Sequence, residues 1–567
     1  MIVTPYCEDP FFSLDHIQSF EEFFAFIQSA IQQSAVVEIA DTSRVTVRPA
    51  GFHLTDVRTP RHFLSLSLPL DGVDPLMALQ SLASAPLTHF YWENRKTDEA
   101  IAAIGCAEQV RLSGSQRFAQ SKQVIQELFQ RIVPIGPVNR PFAEPRVFCQ
   151  FTFFDAVDGA SNLSPSNPSP STIVLPQWQI ARHQSLGSFV ANIPLAKPRA
   201  FRASCMSVWE VMMTLKKLSS DRECSSRRFS YSGNGARSSA QRSPRSSSSS
   251  ASSVIARSFG QRLMHSDTPP HLPPHLKVEE PHRCSKNRYP ALPTVSPEGR
   301  ARFVQTVQSV LETIEQTSLN KAVLAHALDI ELDERLEVSA SLQSLRHYHS
   351  DCYLFSSQIE PGQTFLSASP ERLLSIQSGH LITEAIAGSA PRGRTPSEDF
   401  HLAHTLLHNR KELHEHQLVV NFIRQQLVQL GLNPTRSLAP KILPLSTIQH
   451  LQTLIHAEIP SHLHPIDLVE ALHPTPAVAG VPREMACELI RHHESFERSL
   501  YAAPMGWIDG HGNSEFLVGI RSALLNGRHA RLYAGAGIVQ GSNPQKELDE
   551  IELKLRSLYH TLIHPHS

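Results

Sequence analysis

Nowhere does an apolar run approach the ~20 residues that a membrane-spanning helix requires. The start, MIVTPYCEDPFFSLD, lacks a basic stretch followed by an apolar one, so no signal peptide is expected. The eight cysteines (Cys7, Cys106, Cys149, Cys205, Cys224, Cys284, Cys352, Cys487) form no CxxC pair. That scatter argues against a zinc site or a disulfide framework and suits a reducing compartment. Thirty histidines are dispersed, with neither HExxH nor a His/Cys cluster. Net charge is 52 − 53 = −1, so no excess of one sign points to nucleic acid or an anionic membrane. The expectation is a cytoplasmic protein with no membrane or nucleic-acid partner.

What is present is ordinary in bulk and specific in pattern. The chain has 567 residues, 41% hydrophobic and 19% charged, enough for a large core. Strands are expected in HFLSLSLPL (62–70) and RVFCQFTFFDAV (146–157), and a loop then a helix over 113–133. SPSNPSPS (164–171) is read as a loop. Between 218 and 297 the composition turns to serine and arginine, then proline, with few apolar side chains to offset ordering entropy. This stretch is expected to be a disordered insertion. Its arginines, Arg237, Arg242 and Arg245, could touch nucleic acid or flank phosphorylated serines, but a solvated insertion is the simpler reading.

Beyond it the pattern becomes regular. RARFVQTVQSVLETIEQTSLN (300–320) is an amphipathic helix, KAVLAHALDIEL (321–332) a strand, and QTFLSASPERLLSIQSGHLITEAIAGSAPRG (363–393) strands with turns. APMGWIDG, SEFLVGIRSALL and ARLYAGAGIV read as strands, and NPQKELDEIELKLRSLYHTLI as a closing helix. The organising stretch is KELHEHQLVVNFIRQQLVQLG (411–431). Leu418, Val419, Phe422, Ile423, Leu427 and Leu430 recur at helical spacing, with Gly431 as C-cap. Glu412 and Glu415 stand at the N-terminal end of that stripe. Either they are solvated where the helix frays, or they line a pocket in which buried carboxylates need a cation or a catalytic role. The closing helix poses the same choice: Glu547, Glu550 and Lys554 flank its stripe, and a surface Glu550–Lys554 pair is the plain alternative. Glycines inside the preceding strand, Gly535 and Gly537, suggest a close approach of backbone or ligand.

The ordered series KAVLA, SPERL, AIAGSAPRG, RKELHEH, HPTPAVAGVPR, IRSAL, LYAGAGIV and GSNPQKELDEIELKL resembles the chorismate-utilising enzyme family, most closely its isochorismate synthase branch. The resemblance covers roughly 300–560 almost continuously and, more weakly, 90–182. It implies an α+β chorismate-binding fold like that of anthranilate synthase component I, with two large β-sheets and surrounding helices. Residues 1–217 and 298–567 would form its two parts, interrupted by 218–297. The implied reaction adds water at C2 of chorismate with loss of the C4 hydroxyl. Lys321 would be the base, a role that requires a neutral amine, and Glu371 the acid, a role that requires a protonated carboxyl. Glu415 and Glu550 match positions that ligate Mg²⁺, with Glu412 and Glu547 as water-mediated or outer ligands. Arg521 and Lys554 would take the substrate carboxylates, with Tyr533 and the backbone of Gly537 closing on the substrate. His473 would contact the ring region. Gly388 and Ser389 would line the pocket, and Ala477 would leave room where aminating or pyruvate-eliminating relatives carry threonine.

Isochorismate would feed quinone biosynthesis (menaquinone or phylloquinone) or a siderophore or salicylate pathway. The resemblance implies a monomer without a glutaminase subunit. Salicylate synthase, an aminating enzyme of the same fold and a non-catalytic chorismate binder are the alternatives. Two departures stand out: His408 where the family often has serine, and Ala503 where a YAGP spelling would place glycine.

Overall fold

Leu64, Leu66 and Leu68 alternate with Ser65 and Ser67, which predicts a strand with one wet face. The strand forms, as Phe63–Pro69, but both of its faces are buried. The leucines join an apolar cluster with Phe23, Ile27 and Leu76 of neighbouring helices. The computed structural model that shows this describes residues 17–33, 37–38, 46–47, 62–82, 88–137, 140–155, 168–230, 295–360 and 362–563.

Two large sheets dominate, one of twelve strands and one of ten, surrounded by helices in an α+β arrangement. Each sheet mixes strands from before and after the expected insertion. In the larger, Tyr353–Gln358 pairs antiparallel with His89–Asn94, Phe355 opposite Trp92. In the smaller, Pro504–Asp509 pairs with Arg146–Phe151, Trp507 opposite Phe148. The sheets meet through large aromatics. Trp92 and Trp507 pack edge to face at 6.3 Å, and Phe90 stacks on Phe148 at 5.3 Å. Rings in these geometries add about 0.5–1.5 kcal/mol per pair beyond the area they bury.

Two of the connections that cross from one sheet to the other run side by side. Gln363–Ser369 belongs to the larger sheet and Arg372–Gln377 to the smaller, with Glu371 in the short link between them. SEFLVGIRSALL, read as one strand, is two. Ser514–Val518 lies in the smaller sheet and Ser522–Asn526 in the larger, and the crossing residue Arg521 has φ +47°. The links are tied by Val518 N–H donating to the Glu371 carbonyl at 3.2 Å and Ala368 N–H to that of Arg521 at 3.1 Å.

The organising helix spans Arg410–Gln429 and packs on strand His380–Pro391. A separate helix, Pro396–His408, precedes it, because Asn409 leaves helical geometry and its side chain caps Lys411 and Glu412 N–H. Gly431 at φ +79° ends it. Its N–H bonds the Val428 carbonyl, and that of Leu432 bonds Leu427. The closing helix, Pro544–Ile563, packs on strand His529–Val539. Helix Pro198–Ser230 carries regular structure beyond position 218, where the insertion was expected to begin. Residues 231–294 of that stretch, and 164–167 of the expected Pro/Ser loop, lie outside the described residues. The five cysteines described as to side chain are free thiols. No described helix is long and apolar enough to cross a membrane.

Candidate active site

The site begins with alternation along two paired strands. Lys321–Glu331 runs antiparallel to His529–Val539, Lys321 opposite Val539 and Val323 opposite Gly537. Successive side chains point to opposite faces. Ala534, Ala536 and Ile538 therefore enter the core under the closing helix, and Gly537 faces the other way. A Cβ on Gly537 would sit 2.5 Å from Glu415 Oε1 and 3.1 Å from Lys321 Cε. The glycine is there because two charged side chains occupy its place. Gly537→Ala is expected to force that pair apart, costing about 1–3 kcal/mol of stability. It should lower turnover at least tenfold with secondary structure retained, measured by steady-state kinetics beside circular dichroism.

Lys321 is 1% exposed and its Nζ lies 2.8 Å from Glu415 Oε1. Glu415 is itself buried, so of the two readings of the helix N-terminus the pocket is the one realised. Glu412, one turn earlier, accepts from Ser389 N–H at 3.0 Å. That N–H is aimed by a bulge: Gly388 sits at φ +77° where the register of strand His380–Pro391 shifts between Ala387 and Ser389. Ser389 Oγ donates to Glu550 Oε2 at 3.3 Å, so one residue bridges acids from two helices distant in sequence. Lys411 Nζ lies 3.1 Å from Glu547 and 3.5 Å from Glu412. Lys554 lies 2.7 Å from Glu550 and donates to the Gly535 carbonyl at 2.8 Å, which is open on that side because strand pairing with Ser522–Asn526 stops at Tyr533.

Burial, then the Glu415 charge, raises the Glu412 carboxyl above its ordinary range. Burial and the Glu550 charge also raise Glu547, against the pull of Lys411. For Glu550 burial acts in the same sense, but contact with Lys554 outweighs it and the carboxyl is held low. These are oxygen donors with more negative charge than their lysines comfortably balance, a set suited to a hard divalent cation. They are not drawn into one tight shell. Among the described residues, the trio whose ligand atoms lie within 4.8 Å of one another is Glu144, Asp509 and His511. There Asp509 already accepts from the His511 and Asn513 N–H groups, and Arg146 stands 4.0 Å away. The glutamates are held apart by Lys321, Lys411 and Lys554, which a bound cation would displace or share.

Glu371 is 4% exposed. Burial, reinforced by the nearby Glu384 charge, raises its carboxyl to about 8, against the opposing influence of Lys321 and the Thr475 hydroxyl. It is therefore protonated at neutral pH and within the field of the buried lysine. Arg521 and Lys554 line a narrow cleft, open to solvent, with His349 and Thr447. Arg521 Nη2 donates to His450 Nε2 at 3.2 Å, and His450 Nδ1–H donates to the Gly388 carbonyl at 3.3 Å. Burial and the Arg521 charge lower this imidazole to about 3, which fixes it as the neutral tautomer those bonds demand.

Three expected positions stand apart from this connected set. Tyr533 is opposite Ala327, six residues along the strand from Lys321 and roughly 20 Å away at strand rise. Its ring stacks on Tyr501 at 5.1 Å in the core. His473 caps helix Pro465–Leu472, its ring bonding the Phe153 carbonyl at 3.3 Å and packing edge-on against Phe153. Burial holds it well below the ordinary histidine range. That is a helix-end position, with the ring held by Phe153. Ala477 is half-buried against the same apolar cluster as Val419 and Val420. The two departures are local: His408 is exposed and bonds the His404 carbonyl, and the left-handed residue is Ala502 (φ +60°), not Ala503. The sequence reading missed His450, Lys411, Thr475 and Glu384. Nothing in a list of thirty histidines marks His450; only its partners do.

Residues 52–251 and 275–563 match the sequence model of the chorismate binding enzyme family. The chain belongs to that family. The break in the match, 252–274, falls inside the Ser/Arg/Pro-rich stretch. Among relatives, the salicylate biosynthesis isochorismate synthase of Pseudomonas aeruginosa is 31% identical over 506 residues, covering 88% of this chain and 90% of that protein. Isochorismate synthase MenF of Bacillus subtilis is 36% identical over 260 residues, 46% of this chain and 55% of its own length. Among solved structures, MenF of Escherichia coli superposes with a TM-score of 0.61 at 23% identity, covering 90% of this chain and 96% of that one. Anthranilate synthase component I of Streptococcus pneumoniae gives 0.54 at 15% identity, over 89% and 100%. At these identities the structural likeness establishes the chorismate-binding fold, two large sheets included.

Proposed function

We propose that this family member is a Mg²⁺-dependent isochorismate synthase, converting chorismate to isochorismate. One observation carries the reading most: a buried lysine and a buried carboxyl held above the carboxylate range influence one another, beside glutamates from two helices bridged by Ser389. Chorismate carries two carboxylates and a hydroxyl that must leave. Arg521 and Lys554 face the cleft as cations for the carboxylates, the first with a planar fork that can engage one in bidentate fashion. Lys321 accepts a proton from the water that adds at C2. Glu371 donates one to the C4 oxygen as its bond to carbon breaks, so protons balance over the turnover. Glu415 and Glu550, with Glu412 and Glu547 beside them, would hold the ion. Bound there, Mg²⁺ supplies positive charge that offsets these carboxylates and the substrate's, and by engaging Glu415 it competes with the Lys321 contact. The chain needs no glutaminase subunit for this reaction, since water is the nucleophile, and we read it as a cytoplasmic monomer.

The reading is checked by chromatographic identification of the product from chorismate, with Mg²⁺ and after chelation. Isochorismate is expected with Mg²⁺, falling at least 100-fold with chelator and returning when Mg²⁺ is restored. Salicylate with pyruvate, an amine that appears only with ammonia, or turnover indifferent to chelation would each replace this assignment.

A further inference from the structure

The acid does not stand alone. Two buried carboxyls, Glu384 and Glu515, flank the single guanidinium of Arg372 where the polypeptide crosses from the larger sheet to the smaller, one residue after the buried Glu371. Glu384 is 6% exposed and lies on strand His380–Pro391, four residues before the Gly388 bulge. Its Oε1 accepts from the backbone N–H of Arg372, the residue after Glu371, at 3.2 Å, and faces the Arg372 guanidinium at 3.6 Å. Its Oε2 accepts from the amide of Gln452 on the adjoining strand. Glu515 faces the far side of the same guanidinium at 4.0 Å, with the Tyr353 hydroxyl against it. One guanidinium cannot fully balance both of these carboxylates without water, and the charge of Glu384 is felt by Glu371.

We infer that Glu384 is a positioning residue for the acid of the reaction, clamping the backbone beside Glu371 and setting a second buried carboxyl near it. The inference rests on the isochorismate synthase reading for the role of Glu371, and goes beyond it by assigning a task to a residue outside the lysine, the glutamate pair and the metal ligands. The groups facing Glu371 are Lys321, which favours ionisation, the Thr475 hydroxyl, which does the same, Glu384, which opposes it, and Tyr501, whose own hydroxyl feels the Glu371 charge. Those facing Glu384 are Arg372, Gln452 and, at longer range, Lys96, which favour its charge, while burial raises its own carboxyl above the ordinary range. With Glu384 neutral, only burial resists ionisation of Glu371, and its affinity for the proton drops.

The test is the pH dependence of kcat with chorismate and saturating Mg²⁺, for the full chain and for Glu384→Gln. The wild type is expected to lose activity above an apparent pKa near 8, as Glu371 ionises. Glu384→Gln keeps an oxygen to accept from Arg372 N–H but removes the charge. Its falling limb should move down by about one pH unit, so that activity near pH 8 drops several-fold while activity near pH 6 and KM stay close to wild type. A limb that does not move overturns the inference, even if kcat falls evenly at every pH, since an even fall is what a purely structural role would give. Should Glu384→Gln not fold, Gln452→Met removes the amide that stabilises the Glu384 charge and is expected to shift the limb in the same direction; no shift there overturns the inference equally. Glu371→Gln separates the two ideas. If it turns over with the wild-type profile, the acid assignment itself is wrong. If it is inactive while Glu384→Gln leaves the limb in place, only the role of Glu384 falls.

Discussion

Lys321→Ala is expected to lower kcat for isochorismate formation by ~10²–10⁴-fold, the usual loss for a general base. Two costs follow from the same removal. The water has no group to take its proton, and Glu415, buried and in contact with Nζ at 2.8 Å, is left without its partner. An unpaired charge at such a site ordinarily costs ~3–5 kcal/mol. The variant should therefore melt well below the wild type in chelator and recover part of the difference in Mg²⁺, because a cation on Glu415 would take the place of the lost Nζ contact. Far-UV circular dichroism and a thermal melt in each condition, beside product chromatography, distinguish lost chemistry from lost fold. Undiminished turnover in a folded variant rejects Lys321 as the base.

Glu371→Gln is expected to remove a comparable ~10²–10⁴-fold in kcat, since the amide fills the same space and has no acidic proton for the leaving oxygen. It also carries a stability signature of definite sign. Glu371 titrates at about 8 in the folded chain against an ordinary 4.5. Between those values the native state holds a proton that the unfolded chain has released, so Glu371 makes stability fall as pH rises through this window, by up to ~1.4 kcal/mol per unit. Above the folded value the loss is complete and the curve levels. The glutamine variant has no such group. Denaturant unfolding at pH 5 and pH 8.5 should show the wild type losing a few kcal/mol more than the variant between the two conditions. Equal losses would mean that Glu371 is ionised throughout, and it would then have no proton to give.

Both predictions concern residues that a reader of the sequence can name, because KAVLA and SPERL resemble family motifs and periodicity places the elements around them. Lys321 begins an apolar strand, and Glu415 continues a helical stripe one turn past Val419, so their local structure follows from spacing. The glycines of LYAGAGIV likewise announce a close approach, although not to what. Where the reading failed, the cause is a change of partner that leaves no local trace. SEFLVGIRSALL is strand-like throughout; that it splits between two sheets at Arg521 depends on which strands lie alongside. Tyr533 and His473 sit in familiar motifs, yet their rings are taken up by Tyr501 and Phe153, contacts made across more than thirty and three hundred residues respectively. Glu384 drew no notice because a single glutamate in a strand is unremarkable until a second buried carboxyl, Glu515, arrives beside its arginine.

By itself the sequence determined the strands and helices that bear Lys321, Glu415 and Glu550, because helix and strand periods are properties of neighbours along the chain, and its motifs carried the resemblance that implied the α+β class and the proposed reacting groups. Only the tertiary structure decided which acids are buried together, which lysine answers which glutamate, and why Glu371 keeps its proton. Burial and the sum of nearby charges set those outcomes, and both are fixed by residues that come close only when the two sheets and the helices on them have packed.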